Sequence, residues 1–261
     1  MRIATWNVNS VRQRLGHLLD FLKEVEPDAL CLQEIKCVDG DFPRREIEEA
    51  GWQVETHGQK TFNGVAIITR AKLEDVRRGL PGDEGDEQAR YLEGVLPLGS
   101  GVVRIASIYL PNGNPIDTEK YPYKLGWMRR LTAHAQMLLA LEEPLVLAGD
   151  YNVIPEPRDA RDPAAWVSDA LFLPQTRAAF RGLLNLGLTE ALRATSDDGG
   201  LYTFWDYQAG AWQRNNGIRI DHLLLSPQAA DRLSGVQIVK HVRGWEKPSD
   251  HVPVMVDLKA A

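Results

Sequence analysis

Apolar residues along the chain gather in short runs of strand length, and between several of these runs lie longer stretches with helical spacing. Strand-like runs occupy residues 2–7, 29–33, 64–69, 102–110, 145–150, 219–226, 236–242 and 252–258. Most are rich in Val and Ile and are bounded by Gly, Pro, Asn or Asp, which end ladders and set turns. Ser10 can cap a helix running through Glu24, with Leu15, Leu18, Leu19 and Leu22 on one face and Pro27 beyond its end. Residues 118–141 carry the stripe Leu125, Met128, Leu131, Ala135 and Leu138, and residues 174–186 form a third helix. Strands alternating with helices, mixed with strand pairs joined by short turns, predict an α/β protein with mixed sheets. No segment has the composition of a linker, so residues 1–261 are read as one domain. Residues 79–87 read as a connection, and 158–173 as a longer loop of the kind that carries function.

Bulk composition narrows the class. The 261 residues are 44% hydrophobic and 25% charged, enough for a sizeable core without disulfide staples. Cys31 and Cys37 are too few for a disulfide framework or a thiolate metal site, and Cys31 sits inside an apolar run. No run approaches the ~18 apolar residues of a membrane span. The N-terminus enters a strand pattern at once instead of a signal-peptide pattern, so a cytoplasmic protein away from membranes is expected; a monomer is expected as well. A formal net charge of −6 argues against a protein wrapped in positive field. It leaves room for a phosphodiester substrate, because divalent cations and a local basic face, with Lys120, Lys124, Arg129 and Arg130 as candidates, can supply attraction.

Chemistry concentrates where apolar runs stop. Asn7 follows Ile3-Ala4-Thr5-Trp6, Glu34 follows Leu30-Cys31-Leu32-Gln33, and Leu145-Val146-Leu147-Ala148-Gly149 delivers Asp150 and Asn152. Tyr109, Asp221, Asp250 and His251 sit at comparable points. Taken singly, Asn7 serves as a turn former, Glu34 or Asp150 as a helix-start group, Tyr109 as core and Asp250 as partner of a surface lysine. Together they point to a site, because charges abutting buried strands need a partner or a metal to offset desolvation, and ligands gather at strand ends in open α/β sheets. Carboxylate and amide oxygens without thiolates favour Mg²⁺ or Mn²⁺ over structural zinc. The other histidines, of which His57 is the best candidate for a role in the site, share no ligand spacing. Trp6-Asn7-Val8-Asn9 and Tyr151-Asn152-Val153 are faintly alike, each following an apolar strand.

Seven segments taken in order resemble the exonuclease III family of DNA-repair enzymes within the endonuclease/exonuclease/phosphatase superfamily. They are Trp6-Asn7-Val8-Asn9, Leu32-Gln33-Glu34-Ile35-Lys36, Asn63-Gly64-Val65-Ala66, Tyr109-Leu110-Pro111-Asn112-Gly113, Gly149-Asp150-Tyr151-Asn152, Gly217-Ile218-Arg219-Ile220-Asp221 and Lys247-Pro248-Ser249-Asp250-His251. The resemblance implies a four-layer α/β sandwich, two packed mixed β-sheets flanked by helices. It implies a Mg²⁺-dependent phosphodiesterase, with Mn²⁺ able to substitute and one or two ions bound. Its partner would be double-stranded DNA: the enzyme cleaves 5′ to abasic sites, removes 3′ blocking groups and degrades 3′ to 5′. By the same resemblance the metal set is Asn7, Glu34, Asp150, Asn152, Asp250 and His251. Tyr109, Asp150, Asn152, Asp221 and His251 are the catalytic set, with Asp221 fixing His251. The general base stays open among Asp150, His251 and a metal-bound hydroxide. Phe204, Ile218 and Ile220 correspond to the pocket for a flipped abasic sugar, with Ile218 where animal relatives carry tryptophan. Trp212 either inserts at the DNA or covers the core. Arg90, Asn112, Lys120 and Lys124 are the expected backbone contacts, which position a duplex without reading its sequence.

Two other functions fit the same pattern. One is a hydrolase of the same superfamily acting on phosphoinositides or RNA; the other is a noncatalytic RNA-binding regulator built on the same fold. The second would be expected to have lost metal or base residues, all of which are present here.

Overall fold

The structure, a computed structural model, describes residues 1–98 and 101–259. Its strands in chain order are β1 (Arg2–Asn7), β2 (Ala29–Gln33), β3 (Gln53–His57), β4 (Val65–Thr69), β5 (Glu74–Arg78), β6 (Tyr91–Leu98), β7 (Gly101–Tyr109), β8 (Leu145–Asp150), β9 (Thr189–Glu190), β10 (Asp221–Leu225), β11 (Leu233–Ile238) and β12 (Val254–Leu258). The helices are α1 (Leu15–Val25), α2 (Arg44–Glu49), α3 (Lys120–Leu139), α4 (Pro174–Leu184), α5 (Ala191–Thr195) and α6 (Pro227–Ala230). One six-stranded sheet has the order β11-β12-β1-β2-β4-β3 and the other β5-β6-β7-β8-β10-β9. The middle of the chain thus builds the second sheet before the C-terminal strands return to complete the first. Each sheet is mixed: β1 and β2 run parallel, as do β7 and β8, and the other pairs run antiparallel.

Four layers explain why the strand runs are apolar throughout instead of alternating. Ile3, Ala29, Cys31, Val65, Val146, Ala148 and Leu223 point into the space between the sheets. Their neighbours Ala4, Trp6, Leu30 and Leu32 point outward and pack with Leu18, Phe21 and Leu22 of α1. On the far side Leu145, Leu147 and Leu224 meet Trp127 and Leu131 of α3 and Phe180 of α4. Both faces of each central strand are therefore out of water, as in sheets covered on both sides. Each fully buried leucine contributes about 1.5–3 kcal/mol relative to an exposed one. Among the described residues no helix is long and apolar enough to cross a membrane.

The central strands lie where the pattern puts them, and the departures have local causes. The first helix starts at Leu15, not Ser10. Ser10 and Val11 instead donate their backbone N–H groups to Glu34 and Ile35, fastening the turn after β1 to the turn after β2, and Ser10 adopts φ 84°. The strand expected at 236–242 runs from Leu233 to Ile238, after which Lys240–Gly244 winds into a 3₁₀ turn. The loop at 158–173 contains 3₁₀ turns at Pro157–Asp159 and Pro163–Trp166. Periodicity missed β3, β5, β6 and β9. The edge strand β5 reads Glu-Asp-Val-Arg-Arg and is mostly exposed, the charged composition that keeps edges from pairing with other chains. Gly94 and Pro97 disguise β6.

Candidate active site

Parallel pairing brings chemistry to one rim. The parallel pair β1 and β2 ends at Asn7 and Gln33, which are register partners, so Asn7 and Glu34 emerge side by side. The parallel pair β7 and β8 ends at Tyr109 and Asp150, also register partners. Asp221 begins the antiparallel β10 directly opposite Asp150. His251 precedes β12, which runs antiparallel to β1, so it arrives at the same edge. The faint likeness between the segments after β1 and β8 thus marks equivalent places in the two sheets. Gly149 is required just before Asp150: a Cβ there would stand 2.0 Å from the carbonyl oxygen of Ile108 on β7.

Between Asp221 and Asp150 lies the imidazole of His251. Its Nδ1 donates to Asp221 Oδ2 at 2.9 Å, and its Nε2 stands 3.7 Å from Asp150 Oδ2. All three side chains are buried. Burial opposes charge on His251, but Asp221 and Asp150 outweigh it and raise its pKa above the ordinary value, so the ring is an imidazolium at neutral pH. Burial, reinforced by Asp221, raises Asp150 above the usual carboxylate range although His251 pulls it down. Phe204 supports the array, pairing by backbone with His251 and setting its ring edge-on to the imidazole at 5.0 Å.

Asn7 joins this array to Glu34. Its amide NH₂ donates to Glu34 Oε1 at 2.8 Å and to Asp150 Oδ2 at 3.0 Å. The second Glu34 oxygen pairs with Lys36 Nζ at 2.8 Å. Burial raises the Glu34 pKa, but Lys36 and Asn7 overcome that and hold it below the ordinary value. Lys36 also donates to Asn9 Oδ1 at 2.6 Å, and Asn9 Nδ2 donates to Asp250 Oδ1 at 3.1 Å. Asp250 is therefore tied to Asn9 and stands outside the tight cluster of donors. Among the described residues, Glu34, Asp150 and His251 form a group whose ligand atoms all lie within 4.8 Å of one another.

This donor set fits a hard divalent cation. It offers carboxylate oxygens with amides beside them, and the sulfurs of Cys31 and Cys37 belong to the two apolar cores. Glu34 is ionised and only half-buried, which leaves it open to a hydrated ion. His251 Nδ1 is taken by Asp221, so its Nε2 is the atom turned towards Asp150 and the rest of the donor group.

Asn152 is fixed by three contacts: its N–H donates to Asp150 Oδ1 at 2.9 Å, its Nδ2 to the Leu110 carbonyl at 2.9 Å, and its Oδ1 accepts from Asn112 at 3.2 Å. Burial and the negative Glu34 and Asp150 hold the Tyr109 pKa well above its ordinary value, so the phenol keeps its proton. The Arg90 guanidinium lies over the Tyr109 ring at 4.8 Å and donates to Gln88. Lys120 and Asn112 are exposed. Lys124 corrects the sequence reading. It is fully buried, and its Nζ donates to the carbonyls of Asn112 and Asn152 at 3.0 and 2.6 Å, so it braces the site's backbone and does not reach a duplex. Burial brings its pKa down to about 7. Arg130 likewise is held by Asp86 at 2.7 Å, leaving the exposed Arg129 and Lys120 as the open cations of that group.

Phe204, Ile218 and Ile220 line a cavity of about 270 Å³ together with Glu34, Tyr109, Asp150, Asn152 and His251. Its outer wall includes Trp166, Asp169 and Leu171 from the 3₁₀ loop, none of which periodicity singled out. Trp212 is not in this wall: it packs edge-on against Trp205 at 5.0 Å and covers the core. His57, at the end of β3, lies elsewhere. Gly217 lets the Ile218 segment pass, since a Cβ would come within 2.6 Å of Trp205 Nε1. Beneath it Arg219, 1% exposed, donates to Asp159 Oδ1 at 2.8 Å and pairs with Glu190 Oε1 at 3.0 Å, pinning β10 to the start of the 3₁₀ loop.

Comparison with known proteins places these features in a lineage. Residues 4–251 match the model of the Endonuclease/Exonuclease/phosphatase family. Exodeoxyribonuclease III of Haemophilus influenzae is 32% identical over 99% of this chain and 100% of its own. An AP endonuclease from Archaeoglobus fulgidus has a structure that superposes with a TM-score of 0.94 at 36% identity, covering both chains fully. A 3′ phosphatase from Neisseria, bound to a product DNA hairpin, superposes with a TM-score of 0.94 at 37% identity, again over 100% of each chain.

Proposed function

The chain belongs to the endonuclease/exonuclease/phosphatase family and to its DNA-repair nucleases of the exodeoxyribonuclease III type, and on that premise we propose that it cuts duplex DNA 5′ to abasic sites, clears 3′ blocking groups and degrades 3′ ends. The observation that carries this reading is His251 clasped between Asp221 and Asp150, with the Glu34 carboxylate within 4.8 Å of the Asp150 and His251 donor atoms. An imidazolium and an ionised carboxylate at one rim can receive a phosphodiester and activate water against it.

The residues divide that work. His251, held by Asp221, donates its Nε2 proton in a hydrogen bond to a nonbridging phosphate oxygen. Asp150, made more basic by burial, orients the attacking water and accepts its proton, while Asn152 N–H and Asn7 Nδ2 fix its two oxygens. Tyr109, kept protonated, donates to the phosphate. Glu34, with Asn7 beside it, would hold the divalent cation on which the family depends, Mg²⁺ with Mn²⁺ able to take its place. When bound, the ion neutralises charge developing on the phosphate and on the leaving 3′ oxygen. One tight donor cluster among the described residues supports one ion. Phe204, Trp166 and Ile218 form an apolar pocket suited to a sugar without a base.

Relatives that are DNA-repair nucleases, together with an undiminished set of carboxylates, leave the phosphoinositide, RNA and noncatalytic readings without support. The direct test uses a 5′-labelled duplex with and without one internal tetrahydrofuran abasic analogue, in Mg²⁺ or in EDTA. Incision at the analogue in Mg²⁺ and none in EDTA is expected. Absence of incision in Mg²⁺, or faster release of phosphate from an inositol phosphate, would overturn the assignment.

A further inference from the structure

A second cavity, of about 300 Å³, backs onto the catalytic one. The two share Trp166, Phe204, Asp206 and Ile218. The same four residues, two aromatic, one branched aliphatic and one carboxylate, thus border both cavities. On its far side the second cavity is bordered by Gln208, Arg214 and Asn216. Those three side chains are exposed, and the backbone N–H of Asn216 is taken by Ala211.

This combination suits a planar heteroaromatic group with a polar edge. Trp166 and Phe204 offer ring faces and edges, the amides of Gln208 and Asn216 offer donors and acceptors in place of a base-pairing partner, and Arg214 offers a cation that stacks. The catalytic cavity, by contrast, is filled at its floor by the carboxylates and imidazole that handle the phosphate. A sugar placed there can turn its C1′ substituent along the shared residues towards the second cavity. An abasic sugar has no such substituent; an intact nucleotide needs somewhere to put one.

We propose that this second cavity receives the unstacked base of an intact, unpaired 3′-terminal nucleotide whose sugar and phosphate occupy the catalytic cavity. The inference rests on the nuclease reading given above and deepens its degradation of 3′ ends by naming where the base of the outgoing nucleotide is held. Internal nucleotides of a sound duplex are not admitted, because unpairing and unstacking cost a few kcal/mol that a frayed terminus has largely paid. The catalytic cavity then serves every substrate, and the second serves only those that carry a base.

The test compares three hairpins: one ending in an unpaired 3′ thymidine, one ending in a 3′ tetrahydrofuran without a base, and one with an internal tetrahydrofuran. Asn216→Trp fills the cavity from an exposed position where the fold uses the backbone N–H, bonded to Ala211. It should lower kcat/KM for removal of the terminal thymidine by about tenfold or more, the worth of one base stacking contact. Cleavage of both tetrahydrofuran substrates should stay within about twofold of wild type. Equilibrium binding in EDTA, followed by fluorescence anisotropy, should show the same selective loss for the thymidine end. Arg214→Ala is the companion variant: an equal loss on ends with and without a base would mean that the cavity holds backbone phosphate, and would overturn the proposal. So would unchanged thymidine removal by Asn216→Trp. Failure of the wild-type enzyme to cut any of the three would instead strike the nuclease reading itself.

Discussion

Asp150 and Asp221 face each other as register partners across β8 and β10, two buried carboxylates on adjacent strands. Like charges so placed repel, and this pairing persists because His251 lies between them, 2.9 Å from one and 3.7 Å from the other. The imidazolium is the price of bringing two carboxylates to one strand end, and it is also the group that can meet a phosphate.

Removing one side of that clasp should disable the site without unfolding it. Asp221→Asn leaves the strand register intact but strips the charge that orients and protonates His251. Single-turnover incision of an abasic duplex at saturating Mg²⁺ should slow by about a hundredfold or more, with the far-ultraviolet circular dichroism unchanged. Near-wild-type turnover would show that His251 needs no such partner.

Glu34 should decide metal affinity. In Glu34→Gln the carboxylate is lost while the contact with Asn7 is kept, so titration calorimetry with Mn²⁺ should lose its binding heat. Incision should fall more than about tenfold, as it should in Asp150→Ala. A wild-type titration curve for Glu34→Gln would move the ion elsewhere.

Stability in acid should trace the buried network under β10. Burial alone would raise the Glu190 pKa, but Arg219 and His222 hold it down to about 2, against an ordinary 4.5. A carboxyl lowered on folding stabilises fully above its unfolded value, and that contribution disappears as pH falls towards the folded one. Glu190→Gln should therefore be less stable than wild type at pH 6, by at most about 3 kcal/mol. The gap should close between pH 4.5 and 2 in urea titrations. A gap independent of pH would assign the loss to packing.

Lys124 should matter although it touches no substrate. Lys124→Met leaves the carbonyls of Asn112 and Asn152 without their buried donor. The expected loss is about 1–3 kcal/mol for each in urea unfolding, together with slower incision as the Asn152 turn loosens. If stability were unaffected, the two carbonyls must find another donor.

The central strands were legible because a strand buried on both faces is apolar along its whole length, and β1, β2, β4, β7, β8, β10 and β12 all declare themselves so. The edge strand β5 was not, since its mostly exposed polar residues pair by backbone alone, and β3 was not, since it buries only Val54 and Thr56 between polar neighbours, too short an alternation to stand out. Ser10 looked like a helix cap because its type favours that role, yet its backbone was claimed by Glu34, a contact that no local rule anticipates.

Likewise the sequence by itself determined which polar residues stand at the ends of buried strands, and so most of the candidate site: Asn7, Glu34, Tyr109, Asp150, Asn152, Asp221 and His251. Only the tertiary structure decided that His251 falls between Asp150 and Asp221, that Asp250 is drawn off to Asn9, that Lys124 is buried, and that Trp166 walls the pocket. The reason is physical. Local periodicity reports which face of an element leaves water, whereas these contacts join residues brought together by sheet order, and the energy that fixes them appears only when both sheets have closed.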